Sequence, residues 1–88
     1  MEFEWDPDKA ERNRRKHKID FETAVKAFND CFRLETDEPD DDDVIRFNLT
    51  GMVDGRLLVV TYTMRGDICR IISARLADRH ERRHYHEV

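Results

Sequence analysis

The sequence has few of the residues that build disulfide networks, zinc knuckles or membrane spans. Its two cysteines, Cys31 and Cys69, lie far apart along the chain, so in a reducing compartment we expect two small buried thiols. No apolar run reaches the length of about 18 residues that a membrane helix needs. The N-terminal segment lacks the apolar stretch of a secretory signal. We therefore expect a cytosolic protein with a single domain over residues 1–88.

Charge is abundant but unevenly distributed. Charged residues make up 41% of the chain and hydrophobic residues 39%, so charged side chains must cover most of the surface of a small core. Residues 1–43 hold 15 acids and 8 bases. Residues 44–88 hold 5 acids and 8 bases, and every one of these bases is arginine. Seven acids fall within residues 35–43, and without that run the net charge of −4 becomes +3. The acidic balance is therefore weak evidence against a partner that carries phosphate groups.

Hydrophobic periodicity predicts an α+β fold. Helical signals, including the N-caps Asp6 and Asp20, predict helices over about Pro7–His17 and Phe21–Asn29. The period then changes to two, and the predicted strands and final helix follow in order at residues 31–36, 44–50, 56–64, 68–75 and 79–87. Gly51 and the Asp54-Gly55 pair are interpreted as turns. The predicted architecture is two N-terminal helices, with a short strand possible before them at Phe3–Trp5, a four-stranded antiparallel sheet and a C-terminal helix.

The first predicted helix has Ala10 as its only apolar residue, so it cannot dock through an ordinary hydrophobic stripe. We expect apolar residues that flank it to anchor it, with Trp5 and Ala10 at the two positions of a hydrophobic staple. Lys9, Asn13, Lys16 and His17 share one face of this helix. These polar side chains can either take part in chemistry or tie the helix to the sheet.

Residues 80–84, HERRH, match the H-E-x-x-H pattern in which two histidines bind zinc and the glutamate serves as general base. A catalytic zinc also needs a third protein ligand and a helix face that buries the metal. The segment has Tyr85 as its only large apolar residue, and Arg82 and Arg83 would repel a dication. We therefore interpret Asp78 and Glu81 as a capping box, and we expect no metal or other cofactor.

Basic residues suggest a surface for phosphate groups. Lys16 and His17 close the first helix at its C-terminal end, where cations suit the helix dipole. Arg46, Arg70 and Arg75 fall on predicted strands, and an arginine inside an isoleucine-rich strand, as Arg70 is, should be paired or face a cleft. Arginines on one concave sheet surface can hold a phosphate and stabilise developing charge, while a nearby lysine or histidine transfers protons. The alternative is a solvated helix face with no chemical role.

Several motifs, each weak alone, occur in order along nearly the whole chain. The patterns are F-x-W-D-x-x-K, N-x-x-K-H, D-F-E-x-A, R-L-L-V-V, R-I-I-S-A-R and E-R-R-x-Y. They are carried by Phe3, Trp5, Asp6 and Lys9, then Asn13, Lys16 and His17, then Phe21, Glu22 and Ala24, then Arg56–Val60, Arg70–Arg75 and Glu81–Tyr85. Together they resemble the BrnT family of type II toxins, also described as domain of unknown function 497.

The resemblance implies a RelE-like fold and metal-independent endoribonuclease activity on an RNA substrate. It also implies neutralisation by a BrnA-like antitoxin with a ribbon-helix-helix domain, through which the complex would bind promoter DNA. The sequence departs from the family pattern at residues 37–43, where the connection is longer and more acidic. That acidic run could repel phosphate groups, or it could form ion pairs with the arginines in their place.

Under this hypothesis Lys16 or His17 is the general base or acid. Arg46, Arg70 and Arg75 bind phosphate, and Glu22 can orient a base. The further candidates for RNA binding are Lys9, Arg14, Arg65 and Arg79. The sequence also allows two other hypotheses: a non-catalytic module that binds nucleic acid or protein, and a zinc hydrolase.

Overall fold

A five-stranded sheet with helices on both faces organises the chain. The computed structural model describes residues 1–39 and 45–87. Its elements are β1 (Glu2–Glu4), α1 (Pro7–His17), α2 (Phe21–Val25), a 3-10 turn (Lys26–Asn29), β2 (Leu34–Pro39), β3 (Ile45–Val53), β4 (Arg56–Arg65), β5 (Ile68–Leu76) and α3 (Arg79–His86). The strand order is β1-β5-β4-β3-β2. No helix in these two described ranges is long and apolar enough to cross a membrane.

The α+β class and the predicted first helix are confirmed, but the predicted sheet is wrong in strand number and direction. The N-terminal strand joins the sheet and runs parallel to β5, with Phe3 opposite Cys69, so the sheet is mixed and five-stranded. Burial favours this pairing, because the Phe3 ring packs edge-on against Phe28 with 5.0 Å between centroids. The other strands pair antiparallel, as predicted.

Three predicted boundaries differ from the structure. The second helix keeps α geometry only to Val25, and the 3-10 turn that follows packs on β3 so closely that a Cβ on Gly51 would lie 2.6 Å from the Ala27 carbonyl oxygen. Gly51 therefore lies within a strand and not at a turn. Strand β2 begins at Leu34 and not at residue 31 as predicted. The Asp30 carboxylate accepts the Phe32 N–H at 2.9 Å and holds a turn before the strand. Residues 40–44, with most of the predicted acidic connection, lie outside the described residues.

The main core lies between the sheet and the α1–α2 layer. Alternation along the strands sends Leu49, Leu58, Val60, Ile71 and Ala74 to this face, where all five are fully buried. On the opposite face a smaller cluster of Leu57, Val59 and Ala77, with Met52 and Tyr85 packed against it, docks α3. The sheet thus has one face covered along its length and one face covered only in part.

The side-chain amide of Asn13 docks α1, which has little apolar surface of its own. Its Nδ2 donates to the carbonyl oxygens of Ile19 and Ala74 at 3.0 and 2.9 Å, and its Oδ1 accepts the N–H of Ala74 at 3.1 Å. Asn13 is the one buried polar residue found within residues 1–39 and 45–87. The amide therefore pairs with both backbone groups of a β5 residue, as a neighbouring strand would.

We expect Asn13→Ala to destabilise the fold, because it leaves the Ala74 N–H and two carbonyl groups buried without partners. Unsatisfied buried groups of this kind cost about 1–3 kcal/mol each, so the free energy of unfolding should fall by roughly 3 kcal/mol. Urea titration followed by circular dichroism measures it. The matched control is Asn29→Ala, an exposed asparagine that should change stability by less than about 0.5 kcal/mol. Equal effects of the two substitutions would contradict the docking role of Asn13.

Candidate functional site

Strand register lines up polar side chains in rows across the face of the sheet that α1 and α2 do not cover. One row runs from Glu4 to Arg70 and on to Thr63. The next row joins β5 to β2 and consists of Ser73, Thr61, Asn48 and Thr36. Arg46 lies two residues before Asn48, and Arg75 two residues after Ser73. We call this surface the polar face and define it by Thr36, Arg46, Asn48, Thr61, Thr63, Arg70, Ser73 and Arg75.

The three strand arginines of the prediction all lie on the polar face, but in different surroundings. Arg70 is half-buried and donates Nη1 to the Glu4 carboxylate at 2.6 Å, which agrees with the expectation that it should be paired. Arg75 donates to both carboxylate oxygens of Glu81, at 2.8 and 2.9 Å. Arg46 is exposed on β3, opposite Glu38 in the register. Each arginine is thus positioned close to an acidic residue or opposite one in the sheet.

Glu81 caps α3 and pairs with Arg75 at the same time. Asp78 accepts the Glu81 N–H at 2.8 Å, and Glu81 accepts the Asp78 N–H at 2.9 Å, which confirms the predicted capping box. Its hydrogen bonds with Arg75 hold the pKa of Glu81 below its ordinary value, against the opposing effect of burial. The glutamate of HERRH is therefore occupied by structural contacts. Within the described ranges, no three His, Cys, Asp or Glu side chains meet in a group that could hold a metal ion.

The C-terminal helix is fixed to the rest of the fold through Asp30. Tyr85 donates its hydroxyl to Asp30 Oδ2 at 2.5 Å, and the Met52 N–H donates to the same oxygen at 2.7 Å. Although burial opposes its ionisation, these hydrogen bonds lower the pKa of Asp30, and the pairing raises the pKa of Tyr85 to about 12. This contact holds α3 beside the polar face.

Lys16 and His17 lie at the edge of the sheet, beside β5. They line a shallow hollow with Lys9, Ile72 and Ser73, at the point where the β4–β5 register shifts. Ser73 belongs to the polar face, so this hollow borders the row of hydroxyl and amide groups. The structure thus brings Lys16, His17 and Lys9 to one border of the arginine-bearing surface.

The remaining predicted residues do not converge on this border. Glu22 is exposed on α2, in the layer that covers the main core. Arg14 is paired with Glu11 on the outer side of α1 at 2.6 Å, a contact that lowers the pKa of Glu11 to about 2. Arg65 is exposed at the end of β4 and Arg79 at the start of α3.

Sequence reasoning missed the neutral polar groups of the polar face and the side chains of α3 that line a hollow above it. Thr61 donates its hydroxyl to Asn48 Oδ1 at 2.7 Å, and His80 and His84 line that hollow with Asn48 and Thr36. The alternation of Arg46, Asn48 and Thr50 along their strand was a usable signal. For His80 and His84 the sequence contained no signal beyond the zinc pattern, because their position depends on how α3 docks.

We expect the contribution of Glu81 to stability to disappear in acid. Because its pKa is lowered in the folded protein, the ionised carboxylate stabilises the fold above its unfolded-state pKa of about 4.3, and this stability is lost as the pH falls through the lower folded-state value. Glu81→Gln should therefore flatten the fall in unfolding free energy below about pH 5. Chemical denaturation at a series of pH values measures this, with Glu87→Gln at the exposed end of α3 as the control. Identical slopes for wild type and Glu81→Gln would contradict the assignment.

Comparison with known proteins identifies a family for the chain. A family model described as the ribonuclease toxin, BrnT, of a type II toxin-antitoxin system matches residues 5–81. No curated protein is significantly similar to the chain. The match spans α1, the whole sheet from β2 to β5 and the capping box of α3, and it confirms the resemblance seen in the sequence motifs. The chain therefore belongs to the BrnT family of ribonuclease toxins of type II toxin-antitoxin systems.

Proposed function

We propose that this chain is the toxin of a type II toxin-antitoxin pair and that it cleaves RNA on the polar face without a metal ion. The observation that carries the proposal is the placement of Arg46, Arg70 and Arg75 on one sheet face beside Lys16 and His17. Family membership supports ribonuclease activity and a cognate antitoxin. The proposal adds the location of the site, the independence from metal and the roles of individual residues.

The arginines are proposed to bind the RNA backbone and stabilise charge at the scissile phosphate. Guanidinium groups form paired hydrogen bonds with phosphate oxygens and keep their charge at any physiological pH. Arg70 and Arg75 are already oriented by Glu4 and Glu81, so they need little rearrangement to present donors. A preorganised donor of this kind stabilises the oxyanion of the transition state more than the ground state.

Proton transfer is proposed to take place at the border formed by Lys16 and His17. A base there would take the proton of the ribose 2′-hydroxyl, whose oxygen then forms a bond to phosphorus as the bond to the 5′-oxygen breaks. An acid would protonate the departing 5′-oxygen. The products are a 2′,3′-cyclic phosphate and a 5′-hydroxyl, and the balance of the reaction needs no metal or other reactant.

The antitoxin is proposed to be BrnA-like, with a ribbon-helix-helix domain, and the pair would bind promoter DNA only through it. Such a toxin arrests growth by cutting RNA, and we propose that it acts in the cytosol. The alternative function, binding nucleic acid or protein without cleavage, uses the same surface and differs only in the chemistry.

We expect the purified chain, freed from any antitoxin, to cleave a labelled structured RNA in excess EDTA and to leave cyclic phosphate ends. Gel analysis with end-group mapping detects both. Adding the protein encoded beside this gene should stop the cleavage. Activity that required added zinc would contradict the proposal, and RNA binding without cleavage would favour the alternative.

The same assay should show that the activity belongs to the polar face. Arg46→Ala should slow cleavage by roughly 10- to 100-fold, because one charged donor to the phosphate is lost. The matched control is Arg56→Ala, since Arg56 is exposed at the hairpin end of β4, away from the row that contains Arg70. Equal rates for these two variants would move the site elsewhere.

We expect His17→Ala to slow cleavage by roughly 100-fold at unchanged stability if its imidazole transfers a proton. The rate and its pH profile should be measured together with the free energy of unfolding. Arg15→Ala is the control, because Arg15 is exposed on the same turn of α1 and pairs with Glu11. A loss of stability with retained cleavage would show that His17 only docks the helix.

A further inference from the structure

A hollow of about 290 Å³ lies between α3 and the middle of the polar face. The sheet contributes Thr36, Asn48 and Thr50 to it, and Val59 forms an apolar floor. His80 and His84, one helical turn apart on α3, form the opposite wall. The hollow thus combines flat aromatic side chains, an apolar floor and a short row of neutral polar groups.

The Asn48 amide is oriented by the strand next to it. The Thr61 hydroxyl donates to Asn48 Oδ1 at 2.7 Å, which leaves the NH2 group of Asn48 as the end that can donate. No acceptor for that NH2 group is found among residues 1–39 and 45–87. A ligand in the hollow that presents a carbonyl oxygen or an aromatic ring nitrogen would complete its hydrogen bonding.

The charges around the hollow disfavour a phosphate group inside it. Glu81 contributes a carboxylate to the lining of the hollow, whereas its partner Arg75 is not among the lining residues. Phosphate groups instead suit the part of the polar face that carries Arg46 and Arg70. Since Asn48 is two residues from Arg46 on the same strand, a nucleotide could place its phosphate among the arginines and its base in the hollow.

We propose that this hollow binds one unpaired nucleobase of the RNA and sets the sequence preference at that position. His80 and His84 stack on the base, and Asn48 donates to an acceptor on its edge. Sequence-specific binding of single-stranded RNA commonly combines stacking on aromatic side chains with hydrogen bonds to the base edge. The inference rests on the proposed function for its effect on cleavage, whereas base binding itself can be measured without cleavage.

The test compares cleavage-site profiles on a pool of RNA with randomised sequence. Wild type should favour one or two bases at a fixed position beside the cut by roughly 10-fold or more, and Asn48→Ala and the double variant His80→Ala/His84→Ala should reduce that preference below about 3-fold. The control is the double variant Arg82→Ala/Arg83→Ala, which removes two exposed cations from the same helix without touching the hollow. It should weaken RNA binding for all sequences alike and keep the preference.

Binding experiments separate failure of this inference from failure of the proposed function. Fluorescence anisotropy with four single-stranded tetranucleotides, one for each base, gives the base preference of wild type and of the three variants, and urea titration confirms that each variant is folded. Base discrimination that depends on Asn48 and the two histidines, without cleavage, would uphold the hollow and overturn the ribonuclease proposal. Cleavage with the same profile in wild type and in the Asn48 and histidine variants would overturn the hollow, as would a wild type without any base preference.

Discussion

The three hydrogen bonds of the Asn13 amide determine how the N-terminal helix meets the sheet. A helix with one apolar residue gains little from hydrophobic burial, so its position depends on this polar contact and on flanking residues such as Trp5, which packs edge-on against Phe21 with 5.9 Å between centroids. Because the amide pairs with β5, the C-terminal turn of α1 is brought to the border of the polar face. The placement of Lys16 and His17 follows directly from that contact.

The two faces of the sheet are used for different purposes, and alternation along the strands keeps them separate. One face supplies the main core. At its end Phe28, Tyr62 and Phe47 form consecutive ring contacts, and burial together with the hydrogen bond to Glu35 raises the pKa of Tyr62. The other face carries arginines and neutral polar groups, and α3 covers only part of it. A small chain can thus have both a buried core and an open binding surface, because each strand contributes to both.

Local signals allowed much of this fold to be predicted, whereas the details that depend on tertiary packing could not be. The bounds of α1, the two N-caps and the Asp54-Gly55 hairpin, with φ of 48° and 83°, follow from residues close in sequence. The parallel pairing of β1 with β5 joins residues 66 positions apart, such as Phe3 and Cys69, and no local pattern reports it. The 3-10 ending of the second helix depends on the contact between Ala27 and Gly51 across the core.

The same distinction applies to the candidate site. Alternation was sufficient to predict that Arg46 faces away from the core, but the hollow under α3 required knowledge of how that helix docks through Tyr85 and Asp30.

The docking contact of Asn13 has a further consequence, for self-association. Within the described residues, no strand pairs with the outer edge of β5 beyond Arg70, and there the Asn13 amide occupies the backbone groups of Ala74 that another chain would otherwise pair with. At the opposite edge of the sheet, Glu35 and Asp37 place negative charges on β2. Polar side chains at both edges thereby disfavour edge-to-edge pairing with another chain.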